Sequence, residues 1–549
     1  MRSSRTVPGL KPRGPQTHRS WIAWRIHFDA FLHAPRPYLQ ALWWRLIGKR
    51  LRARAHFAPL LAASPRAYRL WLLNETRAAE TDGAATATPP IIALVDTRGQ
   101  RPGSAALDET LQSLATAGIT ALCVGTWEIP TPTDAARQID WSKAPWIMPL
   151  IAGDVVAPGA ADAYRAAVSD TTARLAYADD DLLDATGRRH APHFKSDWNA
   201  ELFRHFDFLT GACILRVSAR DLGAVSGDDW MARLISTTIQ GSDVPPHVPQ
   251  VLHHRRSRLA PTIPAAPAAV TGGHPAPGAV TVIVPTRNRV DLLRTCLEGV
   301  ARTDYPDMEV IVVDNGSDDP ATLTYLASLD PARYRVLRHP GPFNFSALNN
   351  HAAREAHGAL LCLLNNDIEV IEPDWLAIMA AQAMREEVGA VGARLLYPDG
   401  RIQHAGVVLG IGGGAAHAHR LLRPEQEGYF HRHALPQFVS AVTAACLVVK
   451  RERFEAVGGL DEANFAVAFN DVDFCMRLNR AGWQSLYEPR ATLVHHESVS
   501  RGFDGDAVGA ARLAGELAAL KKRWHTHETI DPFHHPQLSP FSERFAVKV

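Results

Sequence analysis

The stretch AVTVIVPTRNR, residues 279–289, decides the fold of the C-terminal half of this chain. Its apolar run predicts a buried β-strand over residues 279–285, followed by a polar loop. The stretches MEVIVVDNGSDD (308–319) and ALLCLLNNDIEV (359–370) repeat this pattern. Amphipathic helical patterns such as DLLRTCLEGVAR (291–302) separate the runs. This alternation predicts an α/β fold with a mainly parallel central sheet.

Polar residues follow each of these three predicted strands. In open parallel sheets, ligands bind beyond the carboxyl ends of the strands, so residues 285–288, 314–317 and 365–367 should share one rim. A single Asp or Asn after a strand is usually a turn former, and each segment alone is weak evidence for a site. Three such segments at one edge of one sheet are much harder to explain by turns. A further helix is predicted from SALNNHAAREA, with Ser346 as its N-cap.

Composition limits the class of protein. The 549 residues carry a formal net charge of +1 and are 46% hydrophobic, which is typical of a folded chain and gives no positive field that would select nucleic acid. The six cysteines form no CxxC pair, which favours free thiols in a reducing compartment. There is no run of about 18 apolar residues and no signal-peptide pattern. These features predict a cytoplasmic protein.

Changes in composition divide the chain into five segments. Residues 1–89 form a basic, Trp-rich helical arm, and residues 90–258 alternate predicted strands and helices. A Pro-, Ala- and Gly-rich linker spans 259–278. The second α/β unit occupies 279–505, and 506–549 hold a C-terminal helix and tail.

The arm has an unusual charge pattern. Residues 1–60 contain twelve lysines and arginines, four tryptophans (Trp21, Trp24, Trp43 and Trp44) and Asp29 as the only acid. The stretch PYLQALWWRLIGKRLRARAHF is predicted to form a basic amphipathic helix, which can lie on anionic lipid with its Trp side chains at headgroup level. We therefore predict a peripheral contact of residues 20–60 with the inner face of the plasma membrane. The alternative is a helical arm that packs on its own protein.

The rim of the second unit carries the groups that a nucleotide-sugar transferase needs. A departing diphosphate must be neutralised, and Mg²⁺ or Mn²⁺ bound by carboxylate and amide oxygens does this. The segment Asn365-Asn366-Asp367 offers such oxygens at a strand end. Asp314 can accept hydrogen bonds from a base or ribose, and a neutral His495 can bind the metal.

A second polar set lies in FNDVDFCMRLNRAGW (469–483). Asp471 starts a helix and is the predicted general base. Asp473 precedes Arg477 by four residues, so it either forms a salt bridge or, with Asn470, borders the acceptor site. Gln403 and His404 are likewise assigned to the acceptor site or to a turn: the sequence leaves both alternatives open.

Together these motifs resemble the family 2 glycosyltransferases of bacterial surface-polysaccharide synthesis, many of which are O-antigen or rhamnosyltransferase-like enzymes. The resemblance covers about residues 280–505. It rests on the order of PTRNR, VVDNGSDD, GPFNFSALNN, LLNNDIEV, QHAGVVLGIGG, SAVTAACLVVKRERFEAVGGLDE, FNDVDFCMRLNRAGW and HHESVSRG. It implies a GT-A fold, a divalent cation, and inversion at the anomeric carbon.

Carried over position by position, the resemblance assigns roles to individual residues. It implies a nucleotide-sugar pocket formed by Pro285, Arg287, Asn288, Asp314, Asn315, Asn349 and Asn366. Asn365 and Asp367 stand at the D-x-D metal positions, His495 at the late metal histidine and Asp471 at the base. Asn365 and Asn470 depart from the family, because acids are commoner at both positions.

Residues 90–258 resemble the first transferase domain of tandem members of the same family, with degraded motifs. LVDTRG (94–99) stands in place of the nucleotide-binding segment. LIAGDVVAPGA (150–160) stands in place of the acidic metal cluster, where only Asp154 remains. Asp179, Asp180, Asp181 and Asp184 are either remnants of a site or a solvated loop. We predict a vestigial, inactive GT-A-like domain.

The leading functional prediction is an inverting glycosyltransferase. It would transfer a sugar from a UDP- or dTDP-sugar to a hydroxyl of a growing surface glycan or lipid-linked oligosaccharide. The alternatives are a non-catalytic sugar- or nucleotide-binding scaffold and, less favoured, a nucleotidyltransferase, which would need a Gly-rich loop after the first strand. The sequence leaves open the donor sugar, the linkage and the oligomeric state.

Overall fold

The computed structural model describes residues 15–75, 89–101, 103–265, 278–496 and 507–549. Most of the predicted linker lies outside these ranges. The start of the arm, the junction of the arm with the first unit, and the predicted boundary at residue 505 also lie outside them.

Two sheets form the centres of two α/β units. The strands of the first unit are β1 Ile91–Asp96, β2 Thr120–Val124, β3 Trp146–Ile151, β4 Val155–Val156, β5 Leu175–Leu183, β6 Arg189–His193, β7 Cys213–Leu215 and β8 His247–Arg255. Those of the second are β9 Val280–Thr286, β10 Met308–Asp314, β11 Tyr334–Arg338, β12 Leu360–Leu364, β13 Ile368–Val370, β14 Val388–Leu396, β15 Ile402–His404, β16 Val407–Leu409, β17 Ala415–His417, β18 Gln437–Val439, β19 Cys446–Lys450 and β20 Gln484–His495. The three strands predicted from the apolar runs are β9, β10 and β12.

Helices precede, separate and follow these strands. The arm contains α1 Pro15–His33, α2 Pro35–Leu46, α3 Arg50–Ala62 and α4 Ala67–Glu75. The first unit contains α5 Ala105–Thr116, α6 Pro132–Gln138, α7 Ala160–Val168, α8 Ala200–His205, α9 Ala219–Gly223 and α10 Trp230–Ile239. The second contains α11 Val290–Ala301, α12 Pro320–Ser328, α13 Phe345–Glu355, α14 Trp375–Ala383, α15 Arg451–Ala456 and α16 Asn470–Arg480, and α17 Ala507–Trp524 lies in the tail.

The two sheets share one strand order. The first runs β2-β1-β3-β7-β5-β8-β4, with β6 beside β5. The second runs β10-β9-β12-β19-β14-β20-β13, with β15 beside β14, β11 added outside β10, and β18 added beside β20. Parallel and antiparallel pairings also correspond strand for strand. One topology is therefore present twice in this chain.

The prediction of a mainly parallel sheet holds for only part of the second unit. Strands β9 to β12 are parallel, whereas β19 runs antiparallel to both β12 and β14. The reason is that the alternation of strands and helices stops after α14. The next six strands, β14 to β19, follow one another without an intervening α-helix, so chain reversals replace crossovers.

Helices cover both faces of the second sheet. Val282 and Val284 pack on the side of α11, which contributes Leu293. Ile283 points the other way and packs with Leu348 of α13. Because successive side chains alternate between two covered faces, β9 is apolar at nearly every position.

Helix α13 begins differently from the prediction. Its N-cap is Asn344, whose Oδ1 accepts from the Ala347 N–H at 2.9 Å. Ser346 lies inside the helix and donates to the Phe465 carbonyl at 2.6 Å. That hydrogen bond joins α13 to the segment that leads into α16.

The arm packs partly on the rest of the protein. Tyr68 and Trp71 of α4 share a buried cluster with Phe194 of the first unit and Leu538 of the tail. Asp29 pairs with Arg66 at 2.6 Å. Across the described part of the chain, no helix combines the length and apolar character needed to cross a bilayer.

Polar contacts join the two units. Asn199 exchanges two hydrogen bonds with the backbone of Phe438, at 2.9 and 3.1 Å. The buried Glu201 pairs with Arg385 at 2.7 Å. Burial opposes the charge of Glu201, but hydrogen bonds from His205 and Arg385 outweigh it and lower the pKa of Glu201 to about 2.

Replacement of Arg385 by methionine should lower the free energy of unfolding by about 1–3 kcal/mol at pH 7.5, because it removes a charged partner of a buried carboxylate. The pKa of Glu201 is lower in the folded chain than its ordinary value of 4.5. The ion pair therefore stabilises the folded protein fully above pH 4.5 and progressively less as the pH falls towards 2. Urea unfolding at pH 7.5 and pH 3 should show a smaller loss at pH 3.

Arg204 provides the matched control. It contacts the same carboxylate at 3.2 Å, but its side chain is mostly exposed. Arg204→Met should therefore change the free energy of unfolding by less than about 1 kcal/mol. If the Arg385→Met loss were equal at both pH values, the assigned ion pair would be contradicted.

Candidate active site

Three buried side chains meet at the carboxyl edge of the second sheet. Ile368 of β13 lies opposite His495 of β20, which brings Asp367 beside this histidine. His495 Nε2 lies 3.1 Å from Asp367 Oδ1 and 3.3 Å from Asn365 Nδ2. The three residues predicted to bind a metal thus form one cluster, called the 367/495 cluster below.

The opposite edge of the His495 imidazole is held by Gln403 of β15. His495 Nδ1 lies 2.7 Å from Gln403 Oε1. An amide oxygen only accepts hydrogen bonds, so Nδ1 carries a proton, and in the neutral ring the Nε2 lone pair accepts from the Asn365 amide. A carboxylate, an imidazole and an amide side chain form a donor set that fits Mg²⁺ or Mn²⁺.

Gln403 and His404 do not line an open acceptor site. Both are buried, and Gln403 contacts His495. His404 Nε2 accepts from the Thr443 N–H at 3.4 Å, and its Nδ1 lies 2.7 Å from His417 Nδ1. Burial lowers the pKa of His404 well below its usual range, so the ring is neutral. The structure therefore corrects the acceptor-site prediction for both residues.

Asp471 is the second residue of α16 and is half-buried. Its Oδ2 accepts from the Ala444 N–H at 3.1 Å. The next residue, Ala445, accepts from the Asn365 N–H at 2.9 Å through its carbonyl. One short backbone segment thus connects the predicted base to the 367/495 cluster.

The other α16 residues assigned to the acceptor site have structural contacts instead. Asp473 is fully buried, and its Oδ1 accepts from Arg523 at 2.8 Å and from Trp524 Nε1 at 2.9 Å, while Arg477 holds Oδ2. Asn470 is buried and donates to a carbonyl of the preceding loop. Of the two alternatives predicted for Asp473, the structure shows the salt bridge with Arg477. The contacts with Arg523 and Trp524 join α16 to α17.

The loops after β9 and β10 are joined at the same edge. Thr286 pairs in register with Asp314, and Asn366 Nδ2 donates to Thr286 Oγ1 at 3.0 Å. Asn288 Nδ2 donates to Asp318 Oδ1 at 2.8 Å, and its Oδ1 accepts from the backbone of the same loop. Asn288 and Asn366 therefore bridge adjacent strand ends, as residues on one rim would.

Asp314 and Asn315 shape the turn after β10. Asp314 is buried, its Oδ1 accepts from the Ser317 N–H at 2.8 Å, and its Oδ2 lies 3.3 Å from Arg338 Nη1. Asn315 Nδ2 donates to the His339 carbonyl at 2.9 Å. Such hydrogen bonds are typical of Asp and Asn in turns, and they fix the conformation of the loop after β10. Sequence reasoning missed Arg338, which ends an ordinary-looking strand.

Arg289 is a second residue that sequence reasoning missed. It adopts a left-handed backbone conformation (φ 55°), and its Nη2 pairs with Asp291 at 2.7 Å. The hydrogen bond with Asp291 and the negative charges of Asp291 and Asp367 raise the pKa of Arg289 above its usual range. The guanidinium therefore lies within electrostatic reach of the 367/495 cluster. The only signal in the sequence was the second arginine of PTRNR.

The other predicted pocket residues differ in exposure. Arg287 is exposed and Pro285 is buried within β9. Asn349 is fully buried, and its Nδ2 donates to the Phe345 carbonyl in its own helix at 2.8 Å. Of these three, Arg287 is the one that solvent reaches freely.

The first sheet contains a position that corresponds to the 367/495 cluster. The residue after Asp154 lies opposite His254, as the residue after Asp367 lies opposite His495. In the shared topology, Asp154 and His254 therefore correspond to Asp367 and His495.

Arg255 and Arg256 lie next to Asp154 in this first copy. The backbone N–H of Arg256 donates to Asp154 Oδ1 at 2.9 Å, and the guanidinium Nε of Arg255 lies 4.0 Å from Oδ2. Burial raises the pKa of Asp154 to about 6, an effect larger than the lowering by Arg255. A side-chain cation, Arg255, therefore lies beside the aspartate of the first copy.

The acidic run on β5 is fully buried, so the solvated-loop interpretation is wrong for Asp179, Asp180 and Asp181. Asp180 Oδ2 lies 2.7 Å from Lys195 Nζ, and Asp181 Oδ1 lies 2.7 Å from His254 Nδ1. Asp184, by contrast, is in a turn and accepts from Thr186. Within the unit, Lys195 and Arg189 pair with Asp180 and Asp181 of this buried run.

Asp179, His247 and His535 are the group of three among the described residues whose potential ligand atoms lie within 4.8 Å of one another. The Gln537 N–H donates to His535 Nδ1 at 3.0 Å, so His535 Nε2 keeps its proton and faces Asp179 Oδ2 at 2.8 Å. A protonated nitrogen cannot bind a metal. This group is therefore a contact between the tail and the first unit.

Comparison with known proteins adds family relationships. Residues 281–455 match the family described as Glycosyl transferase family 2. The uncharacterized protein y4gI of Sinorhizobium fredii is 40% identical over 413 residues, which are 67% of this chain and 45% of that protein. The O-antigen biosynthesis protein RfbC of Myxococcus xanthus is 35% identical over 435 residues, 71% of this chain and 33% of that protein. The chain thus spans less than half the length of these two relatives.

Among solved structures, the mannosyltransferase PcManGT from Pyrobaculum calidifontis, in complex with GDP-Man and Mn²⁺, superposes with a TM-score of 0.35 at 21% identity. The match covers 47% of this chain and 67% of that chain.

Asp154→Asn should raise the melting temperature at pH 7.5 by about 2–4 °C. The folded pKa of about 6 exceeds the ordinary 3.8, so the folded protein binds more protons here than the unfolded chain, and stability falls as the pH rises through this interval. Asparagine removes the buried charge and keeps an oxygen for the Arg256 N–H. At pH 4.5 the variant and the wild type should melt together.

Asp184→Asn is the opposite control. Hydrogen bonds with Thr186 and the Arg188 N–H lower the pKa of Asp184 to about 2, so loss of this charge should not stabilise the protein at pH 7.5. A lower melting temperature of Asp154→Asn at pH 7.5 would show that the Asp154 charge stabilises the first unit.

Proposed function

Because residues 281–455 are a domain of glycosyl transferase family 2, we propose that the second unit is an inverting, metal-dependent glycosyltransferase that uses a nucleotide-sugar donor. The unit has the GT-A fold that this family implies. The observation that carries the proposal is the approach of His495 Nε2 to Asp367 Oδ1 at 3.1 Å, with Asn365 beside them. The donor is a UDP- or dTDP-sugar, and the acceptor is a growing surface glycan or a lipid-linked oligosaccharide.

In this mechanism Asp471 takes the proton from the acceptor hydroxyl. The acceptor oxygen forms a bond to the anomeric carbon while the bond from that carbon to the diphosphate oxygen breaks. The electron pair leaves with the nucleoside diphosphate. One base without an enzyme nucleophile gives a single displacement and hence inversion. The hydrogen bond from the Ala444 N–H orients the Asp471 carboxylate and leaves its charge partly accessible.

Asn365, Asp367 and His495 would hold Mg²⁺ or Mn²⁺. A cation held by these residues would supply positive charge for the departing diphosphate. Arg289 adds a fixed positive charge near this cluster, and the exposed Arg287 is free to reach a phosphate.

The first unit is non-catalytic in this proposal. Its Asp154 faces Arg255 and Arg256, and its acidic run pairs internally, for example Asp180 with Lys195. A site filled by its own cations has no charge left for a diphosphate-bound metal. The unit instead stabilises the second unit through contacts such as Asn199 with Phe438.

Asp471→Asn should reduce sugar transfer at least about 100-fold, because the acceptor hydroxyl then has no base. Donor binding should persist, because Asp471 acts on the acceptor. A thermal-shift screen of nucleoside diphosphates and nucleotide sugars, with and without Mn²⁺, first identifies the donor. Transfer and donor affinity are then measured for each variant.

Asp399→Asn, a change of an exposed carboxylate that pairs with Arg401, should keep full activity. Near-normal turnover by Asp471→Asn would remove this residue from the role of base. If the protein bound no nucleotide in the screen, the transferase proposal itself would fail.

The arm carries the second part of the proposal, which is a peripheral contact with the inner face of the plasma membrane. The side chains of Trp24 and Trp43 are 61% and 60% exposed, and Leu46 and Leu51 are also exposed. Arginines flank these residues, and the acid Asp29 is neutralised by Arg66. An exposed aromatic surface with uncompensated positive charge fits the headgroup region of an anionic bilayer.

Trp24→Ala with Trp43→Ala should reduce binding to vesicles of phosphatidylcholine and phosphatidylglycerol by about fivefold or more, because two interfacial anchors are lost. Co-sedimentation measures the bound fraction. Vesicles of phosphatidylcholine alone should bind the wild type weakly. Trp127→Ala, a change of a residue 97% exposed on the first unit, should have no effect. Equal binding by the double variant and the wild type would contradict the contact.

A further inference from the structure

We propose that Gln403 is a positioning residue of the cation site: its Oε1 keeps His495 in the tautomer whose Nε2 can bind the cation. The inference rests on the proposed function, because it gives a partner to a proposed metal ligand. It also gives Gln403 a role quite different from contact with the acceptor.

The geometry favours a fixed interaction. Gln403 and His495 are both buried, and the donor–acceptor distance of 2.7 Å is short. Their strands, β15 and β20, flank β14, since Leu395 of β14 lies opposite residues of both. Both partners therefore stand on one rigid sheet, and neither depends on a loop for its position.

The chemistry of the partner decides what the ring can do. A neutral imidazole carries one proton, and a metal binds only the nitrogen that lacks it. If Nε2 carried the proton, it would donate to Asp367 and exclude a cation. An acceptor at Nδ1 holds the proton there and leaves the Nε2 lone pair available. The amide oxygen of Gln403 does this at 2.7 Å and without a negative charge.

The first copy provides an independent comparison. There the corresponding His254 has its Nδ1 2.7 Å from a carboxylate, Asp181 Oδ1. A carboxylate oxygen accepts a hydrogen bond from Nδ1 as an amide oxygen does, so both copies hold the ring at this nitrogen. In the first copy, where arginines lie next to Asp154, an acidic side chain thus accepts from the histidine. The copy proposed to bind a cation holds its histidine by a neutral amide.

The test measures Mn²⁺ binding to the full chain without any nucleotide, by electron paramagnetic resonance of free Mn²⁺ or by calorimetry. Gln403→Leu should weaken Mn²⁺ binding about 10–100-fold, because the Nδ1 proton loses its acceptor. Gln403→Glu keeps an acceptor oxygen and should restore binding to within about fivefold of the wild type. Melting temperatures identify any variant that fails to fold.

Two histidine variants make the outcomes distinguishable. His495→Ala should lose Mn²⁺ binding, whereas His496→Ala should keep it, since His496 Nε2 faces Glu369 at 2.9 Å. If the wild type bound no Mn²⁺, or His495→Ala bound it normally, the proposed cation site would fail. If His495→Ala lost binding and folded Gln403→Leu kept it, only the role of Gln403 would be overturned. Loss of binding in both folded Gln403 variants would also overturn that role.

Discussion

The second unit is built around an electrostatic constraint: a buried carboxylate and a buried imidazole face each other across 3.1 Å. Burial of that carboxylate requires positive charge or hydrogen-bond donors beside it. The antiparallel pairing of β13 with β20 creates the approach, and Ile368 and Leu493 of these strands anchor it in the core. Much of the chemistry at this edge follows from that constraint, including the orientation of the histidine by Gln403 and the placement of Asp471 one backbone segment away.

The duplicated topology shows two solutions to the same problem of buried negative charge. In the second copy, Asp367 lies beside His495 and Asn365, which form the proposed cation site. In the first copy, Lys195 and other side chains pair with the run on β5, and Arg255 partly offsets the burial of Asp154. Internal cations remove the need for a bound ion, and with it the capacity to bind a diphosphate through one. A catalytic fold can therefore become a structural one through substitutions at a few strand ends.

Apolar runs made the core of the fold predictable. Strands β9, β10 and β12 lie within one residue of their predictions because both of their faces are buried, which leaves an unbroken hydrophobic signal in the sequence. The approach of Asp367 to His495 could be expected only from the family resemblance, since nothing local links two residues so far apart in the chain. The burial of Gln403, His404 and Asp473 depends on partners from other elements. The acidic run at residues 179–181 was predicted as a possible solvated loop for the same reason, because the cations that pair with it, such as Lys195 and Arg189, lie elsewhere in the sequence.

The contact of His535 with Asp179 has a consequence for how the protein is made. The last strand of the first unit is synthesised roughly 300 residues before His535, an interval of about 15–60 s at ordinary rates of translation. During that interval His247, but not His535, is available to pair with Asp179. The tail therefore supplies a late contact, which the first unit gains only after residue 535 has been synthesised.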